Sequence, residues 1–448
     1  MNRLRILLPL ISLALAGAAA PASAKTGLAP AHGFAPGQLL VKFEGDASGH
    51  VVSLPPGTGV RRTARVLARN PRVVYAEPNY IATASTAPSQ PFDPNDPGTL
   101  GGGAGASTSL GHWVAKQWNF LSPRGPRTRH LPTSPGGIGA VDAWRNLIEA
   151  GNPGAAGVVV AVLDTGIAYR SFGAEYRRSP DFGARQFVSG RDFVASDRLP
   201  LDENGHGTHV AGTIAERTDN GVGLTGLAYR AKLMPVRVLD GEKYGDALSI
   251  ARGIRFAVAN GADVINMSFN FACGDRVPMV NEALRDAFAR GVVAVASAGN
   301  LGSETCVSAP ATGPRVIAVG GTTEGACLGN YSLAGTAIDI VAPGGGGPQD
   351  RCRSVAARPI YQVTLLPGST NSFAIPAIYE GTSMAAAHVS GVAAMVLASD
   401  AINPRLTGKA RVIAVTKRLR STARDLGLPA TQQGAGLLDA DAATEPRS

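Results

Sequence analysis

A doubly wound α/β fold on a mostly parallel sheet is the architecture this 448-residue chain predicts for its larger part, residues 112–448. Two observations carry the expectation. Short Val- and Ile-rich runs recur along that part, and stretches with helical spacing separate them. Parallel strands covered by helices on both faces read this way, whereas strands with one wet face alternate apolar and polar residues. In chain order the strand runs are "GVVVAVLD", "AKLMPVRVLD", "DVINMS", "VVAVASAGN", "RVIAVGG" and "AIDIVAPG". The helical stretches are "THVAGTIAE", "ALSIARGIRFAVANG", "VNEALRDAFARG" and the alanine-rich run after Ser383. With 44% hydrophobic residues the chain can bury a large core.

Three segments precede this part. Residues 1–24 have a basic start, an apolar middle and an Ala22-Ser23-Ala24 end, the pattern of a cleaved secretory signal. Pro9 and Gly17 interrupt the apolar stretch, which argues against a membrane anchor, and no later run is long and apolar enough to span a bilayer. A secreted protein, extracellular or periplasmic, is therefore expected. Residues 25–83 contain "PGQLLVKFEG" and "ARNPRVVYAEPNY", whose short apolar alternation fits strands of a small α+β unit. Residues 84–111 are rich in Pro, Gly, Ser and Thr and read as an exposed, flexible linker.

Charge and cysteine usage exclude several function classes. Of the net charge of +9, residues 112–448 hold +5, too mild to argue for nucleic acid, and no aromatic residues interleave with the arginines between Arg405 and Arg424. The four cysteines lack the paired short spacing of a zinc site, so an exported chain is expected to use them in two disulfides. No G-x-G-x-x-G opens a helix after the first apolar strand, which disfavours a nucleotide-binding module.

In a doubly wound sheet, ligand chemistry gathers beyond the carboxyl ends of the strands. Asp164 ends "VVVAVLD", where it is either a turn former or a side chain entering a crevice. His206 stands between Gly205 and Gly207, which let other chains approach its ring closely. His209 follows at i+3 without the Glu of a metalloprotease motif, so His209 and His388 are expected to be packed structural histidines. Asn300 ends "VVAVASAGN" and offers either turn chemistry or an amide donor. Ser383, in "GTSMAAAHVSG", is either a helix N-cap or a nucleophile held at the positive end of a helix dipole.

These motifs, in the order Asp, His, Ser, resemble those of the subtilisin-like serine proteases over roughly residues 112–440. The order and the Ala at position 385 disfavour an α/β-hydrolase esterase, whose nucleophile sits in G-x-S-x-G. The resemblance implies a secreted serine endopeptidase that acts on protein or peptide substrates as a monomer, with no cofactor for catalysis and no nucleic-acid or membrane partner. Under it Ser383 is the nucleophile, His206 the general base, Asp164 the group that orients the imidazole, and Asn300 the oxyanion donor. Ser268 falls on the strand edge that would pair with an extended substrate. Asp181 and Asn220 match positions of a structural calcium site. Residues 25–83 resemble the family's propeptide, an inhibitor and folding aid that the enzyme itself would cut away.

The chain departs from the family pattern at Ala387, where the family commonly has Pro, and at Phe269-Asn270, in place of Leu-Gly-Gly. It also inserts residues 344–379 before Ser383, either as a rim loop or as surface decoration. Cys273 and Cys306 each follow a strand end closely, which predicts the pairs Cys273–Cys306 and Cys327–Cys352.

Overall fold

The computed structural model describes residues 34–46, 49–80, 92, 94–100, 112–124, 131–302, 306–349 and 357–447. The expected leader lies outside them, and so do most of the expected linker and Cys352. The chain divides into two compact units, residues 1–89 and 90–448.

In the first unit, β1 (Phe34–Phe43), β2 (His50–Ser53) and β3 (Val73–Tyr80) form an antiparallel sheet in the order β2-β1-β3. Helix α1 (Val60–Leu67) places Val60 and Ala64 in a small core with Leu39 and Val41.

The second unit begins, among its regular elements, with helix α2 (Ala140–Glu149), strand β4 (Val159–Asp164) and the short β5 (Arg191–Asp192). There follow α3 (His206–Ala215), β6 (Lys232–Arg237), α4 (Ala247–Ala259), β7 (Val264–Met267), α5 (Pro278–Arg290) and β8 (Val293–Ser297). Then come β9 (Val316–Thr322), β10 (Ile340–Pro343), and the hairpin β11 (Thr364–Leu365) and β12 (Phe373–Ala374). Four helices close the unit: α6 (Thr382–Ala398), α7 (Gly408–Ser421), α8 (Ala430–Gln433) and α9 (Ala440–Thr444).

Among the described residues, seven strands build one parallel sheet in the order β10-β9-β8-β7-β4-β6-β5. Alternate side chains enter opposite cores, as strand geometry requires. Val160 and Val162 join α2, α3 and α6 on one face, while Ala161 and Leu163 join α4 and α5 on the other. After β4 the chain builds β6 on one side of it, then returns to build β7 on the other. The carboxyl ends of β4 and β7 therefore flank the point where strand order reverses, and a crevice opens there.

Part of the segment expected to be an exposed linker is packed. Phe92 stacks on Tyr229 and meets Trp144 edge-on, and the Asp96 side chain is buried. Asp96 accepts the backbone N–H groups of Asp219 and Asn220, and Gly98 pairs with Gly223. Composition alone misses this, because the segment is held by one aromatic anchor, Phe92, and by hydrogen bonds to Trp113 and to the distant loop 219–223.

The two residues expected at a calcium site, Asn220 in the same loop and Asp181, meet each other directly. Asp181 accepts Asn220 Nδ2 on one oxygen, at 2.7 Å, and Leu224 N–H on the other, at 2.8 Å. A cation needs oxygens facing it. Here N–H donors occupy the carboxylate and Asn220 presents its NH₂, so the pair forms an internal hydrogen bond in place of an oxygen cradle.

Of the expected disulfides, Cys273–Cys306 is present, and the partner expected for Cys327 lies outside the described residues. The bridge closes a separation of 33 residues. Replacing both cysteines with alanine should lower unfolding free energy by about 3 to 4 kcal/mol on the loop-entropy model, measured by denaturant titration. Burial raises the Asp96 carboxyl to about 6 and the Asp181 carboxyl to about 8. Acids that titrate higher when folded favour the fold while protonated, so this contribution is present below the ordinary carboxyl range and is lost as pH rises through those values. Asp181→Asn cannot titrate and should flatten the fall in melting temperature between pH 4 and pH 8 in chelator; an unchanged slope would remove Asp181 as its source.

Candidate active site

Asp164 is the last residue of β4 and is fully buried. Its Oδ1 accepts the Thr165 N–H at 2.8 Å and lies 2.7 Å from Nδ1 of His206, the first residue of α3. Such close contact of strand end and helix start requires Gly207. A Cβ there would lie 2.1 Å from the Gly166 carbonyl and 3.2 Å from Asp164 Oδ1.

The two elements are also tied by Asp202, which sequence reasoning missed. Its carboxylate accepts the N–H groups of Asn204, Gly205 and Thr208 and the hydroxyl of Thr165, and Thr165 in turn accepts the Gly207 N–H. The available signal was an acid four residues before a histidine that starts a helix. Burial alone would hold the His206 pKa down, but the charge and hydrogen bond of Asp164 outweigh it and raise the imidazole above its ordinary value. Lys243 on the rim opposes that rise.

Ser383 is the second residue of α6, so it is not the helix cap. That position belongs to Gly381, at φ 141° and ψ 169°, with no side-chain capping bond. Ser383 exchanges hydrogen bonds with Ser268, which follows β7. Ser383 Oγ donates to the Ser268 carbonyl at 3.1 Å, and Ser268 Oγ donates to the Ser383 carbonyl at 2.9 Å. Beneath them Asn266 donates to Ser268 Oγ and accepts from Ser390, so the helix is fixed laterally against the sheet. His206, Ser268, Asn300 and Ser383 line one cleft of about 530 Å³.

Asn300 follows β8 and is exposed to that cleft. Its Oδ1 accepts both the backbone N–H and the hydroxyl of Thr382, at 2.8 and 2.9 Å. With the carbonyl end taken twice, the amide is left with its NH₂ free to donate. Thr382, a second residue that sequence reading missed, thus orients Asn300 and also receives the Gly299 N–H.

His209 and His388, both fully buried, are structural. His209 stacks on Tyr379 and its Nε2 meets the Ile360 carbonyl, with burial lowering its pKa to about 3. His388 lies between the Met384 carbonyl and Asn119, lowered by burial to about 4. The insertion forms part of the rim and supplies Pro367, Ile378 and Tyr379 to the cleft. Among the described residues no group of three or more His, Cys, Asp or Glu is placed to hold a metal ion. Nor is any described helix long and apolar enough to cross a membrane.

Comparison with known proteins agrees with this geometry. The model of the subtilase family matches residues 155–437. Subtilisin BL of Lederbergia lenta is 37% identical over 288 residues, which cover 64% of this chain and 91% of that protein. An extracellular protease of Xanthomonas campestris pv. campestris is 36% identical over 362 residues, 74% of this chain and 55% of that one. Among solved structures, a protease from Pseudoalteromonas arctica matches with a TM-score of 0.57 at 31% identity, covering 69% of this chain and 94% of that chain. The chain therefore belongs to the subtilase family of serine-type endopeptidases.

Proposed function

We propose that Asp164, His206 and Ser383 are the catalytic triad and that Asn300, with the Ser383 N–H, is the oxyanion hole. The observation that carries the reading is the 2.7 Å contact between Asp164 and His206 beside the cleft that Ser383 shares. When substrate enters, the Ser383 hydroxyl turns from the Ser268 carbonyl toward His206 Nε2 and attacks the scissile carbonyl as that nitrogen takes its proton. Asp164, on Nδ1, holds the tautomer and stabilises the imidazolium, which is also why the pKa is raised. The developing oxyanion is met by Asn300 Nδ2, already oriented by Thr382. His206 then protonates the leaving amine, and water repeats the sequence on the acyl-enzyme. Ser268 and the residues after it offer an edge for an extended peptide chain. No step calls for a cofactor.

The order of segments supports a secreted pre-pro-enzyme, and the family resemblance supports a monomer. Residues 1–24 are the export signal, residues 25–83 the inhibitor and folding aid, and the first substrate is the chain's own connection to the catalytic unit. Because Asp96 and Gly98 bond to the loop 219–223, the cut falls upstream of Phe92, within residues 81–91.

Asn300→Ala should lower kcat by roughly 10²- to 10³-fold with little change in KM, because the amide bonds an oxygen whose charge appears only in the transition state. Steady-state kinetics decides this, and unchanged kcat would remove Asn300 from the reaction. Ser383→Ala should accumulate outside the cell as a precursor lacking only residues 1–24, and a trace of active enzyme should cut it in trans. Mass spectrometry that found a start between residues 81 and 92 with no protease added would mean that another enzyme does the processing.

A further inference from the structure

The geometry around the proposed triad also bears on which peptide bonds are cut, and this step rests on that reading. Past the ends of β7 and β8 the two chains leave the ladder, one through Ser268, Phe269 and Asn270, the other through Ser297 to Asn300. A carbonyl held between Ser383 Oγ and the Asn300 amide has these segments on either side. Phe269 and Asn270 line the same cleft as Asn300 and Ser383, so the gap between the segments is open to the side chain on the acyl side of the cut.

That gap is bridged. Asn270 Nδ2 donates to the Ser297 carbonyl at 2.6 Å, and the Ser297 hydroxyl donates to Asn270 Oδ1 at 3.1 Å. The carboxamide lies across the opposite wall, where a Cβ built on Gly299 would come within 3.8 Å of Asn270 Cγ. Further out, the Cys273–Cys306 disulfide joins the same two segments covalently. Phe271 donates its N–H to the Ala309 carbonyl at 2.8 Å, and both Phe269 and Phe271 pack against the α4 and α5 core. The walls are thus pinned in three ways and cannot spread. A large side chain would have to displace the carboxamide, which removes the Asn270 donor from the Ser297 carbonyl and leaves the buried Ser297 hydroxyl only its 3.5 Å contact with the Phe269 carbonyl, a desolvation penalty that substrate contacts must offset.

We infer that Asn270 is a specificity-determining residue: it forms the polar floor of a shallow pocket that takes a small side chain, such as alanine or serine, on the acyl side of the cut and refuses leucine or phenylalanine. The test uses peptides that differ only at that residue, with enzyme concentration fixed by titrating Ser383 with a phosphonyl fluoride. In the wild type, kcat/KM for alanine should exceed that for phenylalanine by at least about 10-fold. Asn270→Gly opens the floor and should move that ratio toward phenylalanine by at least about 10-fold, with the titre of reactive serine retained. Asn270→Ala, a milder change, should move it the same way. A wild-type preference for phenylalanine or leucine overturns the proposal without any variant, as do folded variants that keep the wild-type ratio within about twofold. If the reagent labels no serine in the wild type, the triad reading itself fails and this inference falls with it.

Discussion

The burial of α6 is the constraint on which the rest of the catalytic unit depends. Of its residues from Thr382 to Ala398, all but Leu397 are buried, so apart from its amino end at the cleft the helix has no wet face and must be enclosed along its length. Sheet strands β7, β8, β9 and β10 pack along it, and α3 crosses it where Gly391 lets the Leu227 side chain and the Ile214 carbonyl come close. A helix held this way has no freedom to rotate or slide without opening a cavity, and close-packed interiors resist that strongly. Ser383, one residue inside its amino end, inherits that rigidity. Its hydroxyl therefore needs no flexible loop to carry it, only a change of rotamer.

Reversal of strand order supplies the second half of the arrangement. Because β4 and β7 are neighbours whose connections run in opposite directions, their carboxyl ends present Asp164 and Ser268 to one crevice, and β8 brings Asn300 to its side. The helix dipole of α6 points its positive end into this space, where an oxyanion would develop. Charge of the opposite sign is kept away from bulk water on the other side: Asp164 has no exposure, and the imidazole of His206 shields it. Position and electrostatics thus come from the same topological feature. Asp202 adds no chemistry of its own, but its carboxylate gathers five donors, one from Thr165 after β4 and four from the chain on either side of His206, and so holds β4 and α3 in register.

Much of this was legible in the sequence, for a physical reason. Parallel strands buried on both faces must be continuous apolar runs, and residues at their ends leave the core, so Asp164, His206, Asn300 and Ser383 stood out by place as well as by type. What stayed hidden depends on contacts between distant segments. Thr382 looks like a helix-start threonine until its hydroxyl is seen to fix the Asn300 amide. Asp96 sits in a stretch whose composition suits a linker, yet two backbone donors of the loop 219–223 bury it. Asp181 and Asn220, expected at a calcium site, likewise meet through an amide N–H, a contact between distant segments that the sequence does not display.

The same distinction separates what the fold fixes from what it leaves variable. Groups that would carry the chemistry sit on strand ends and helix starts, where moving one by an ångström would disturb a packed core. The surrounding rim includes Asn270, past the end of β7, and the insertion before α6, which lie outside the strand ends and helix starts that hold those groups. In this chain the rim is itself immobilised, by the Asn270 bridge and the Cys273–Cys306 disulfide on one side. On the other, Tyr379 stacks on the buried His209 and carries the end of the insertion down onto α3. A rim tied to the core at both edges cannot adapt to each substrate by rearranging, so the shape of the cleft before substrate arrives already limits which side chains can enter it.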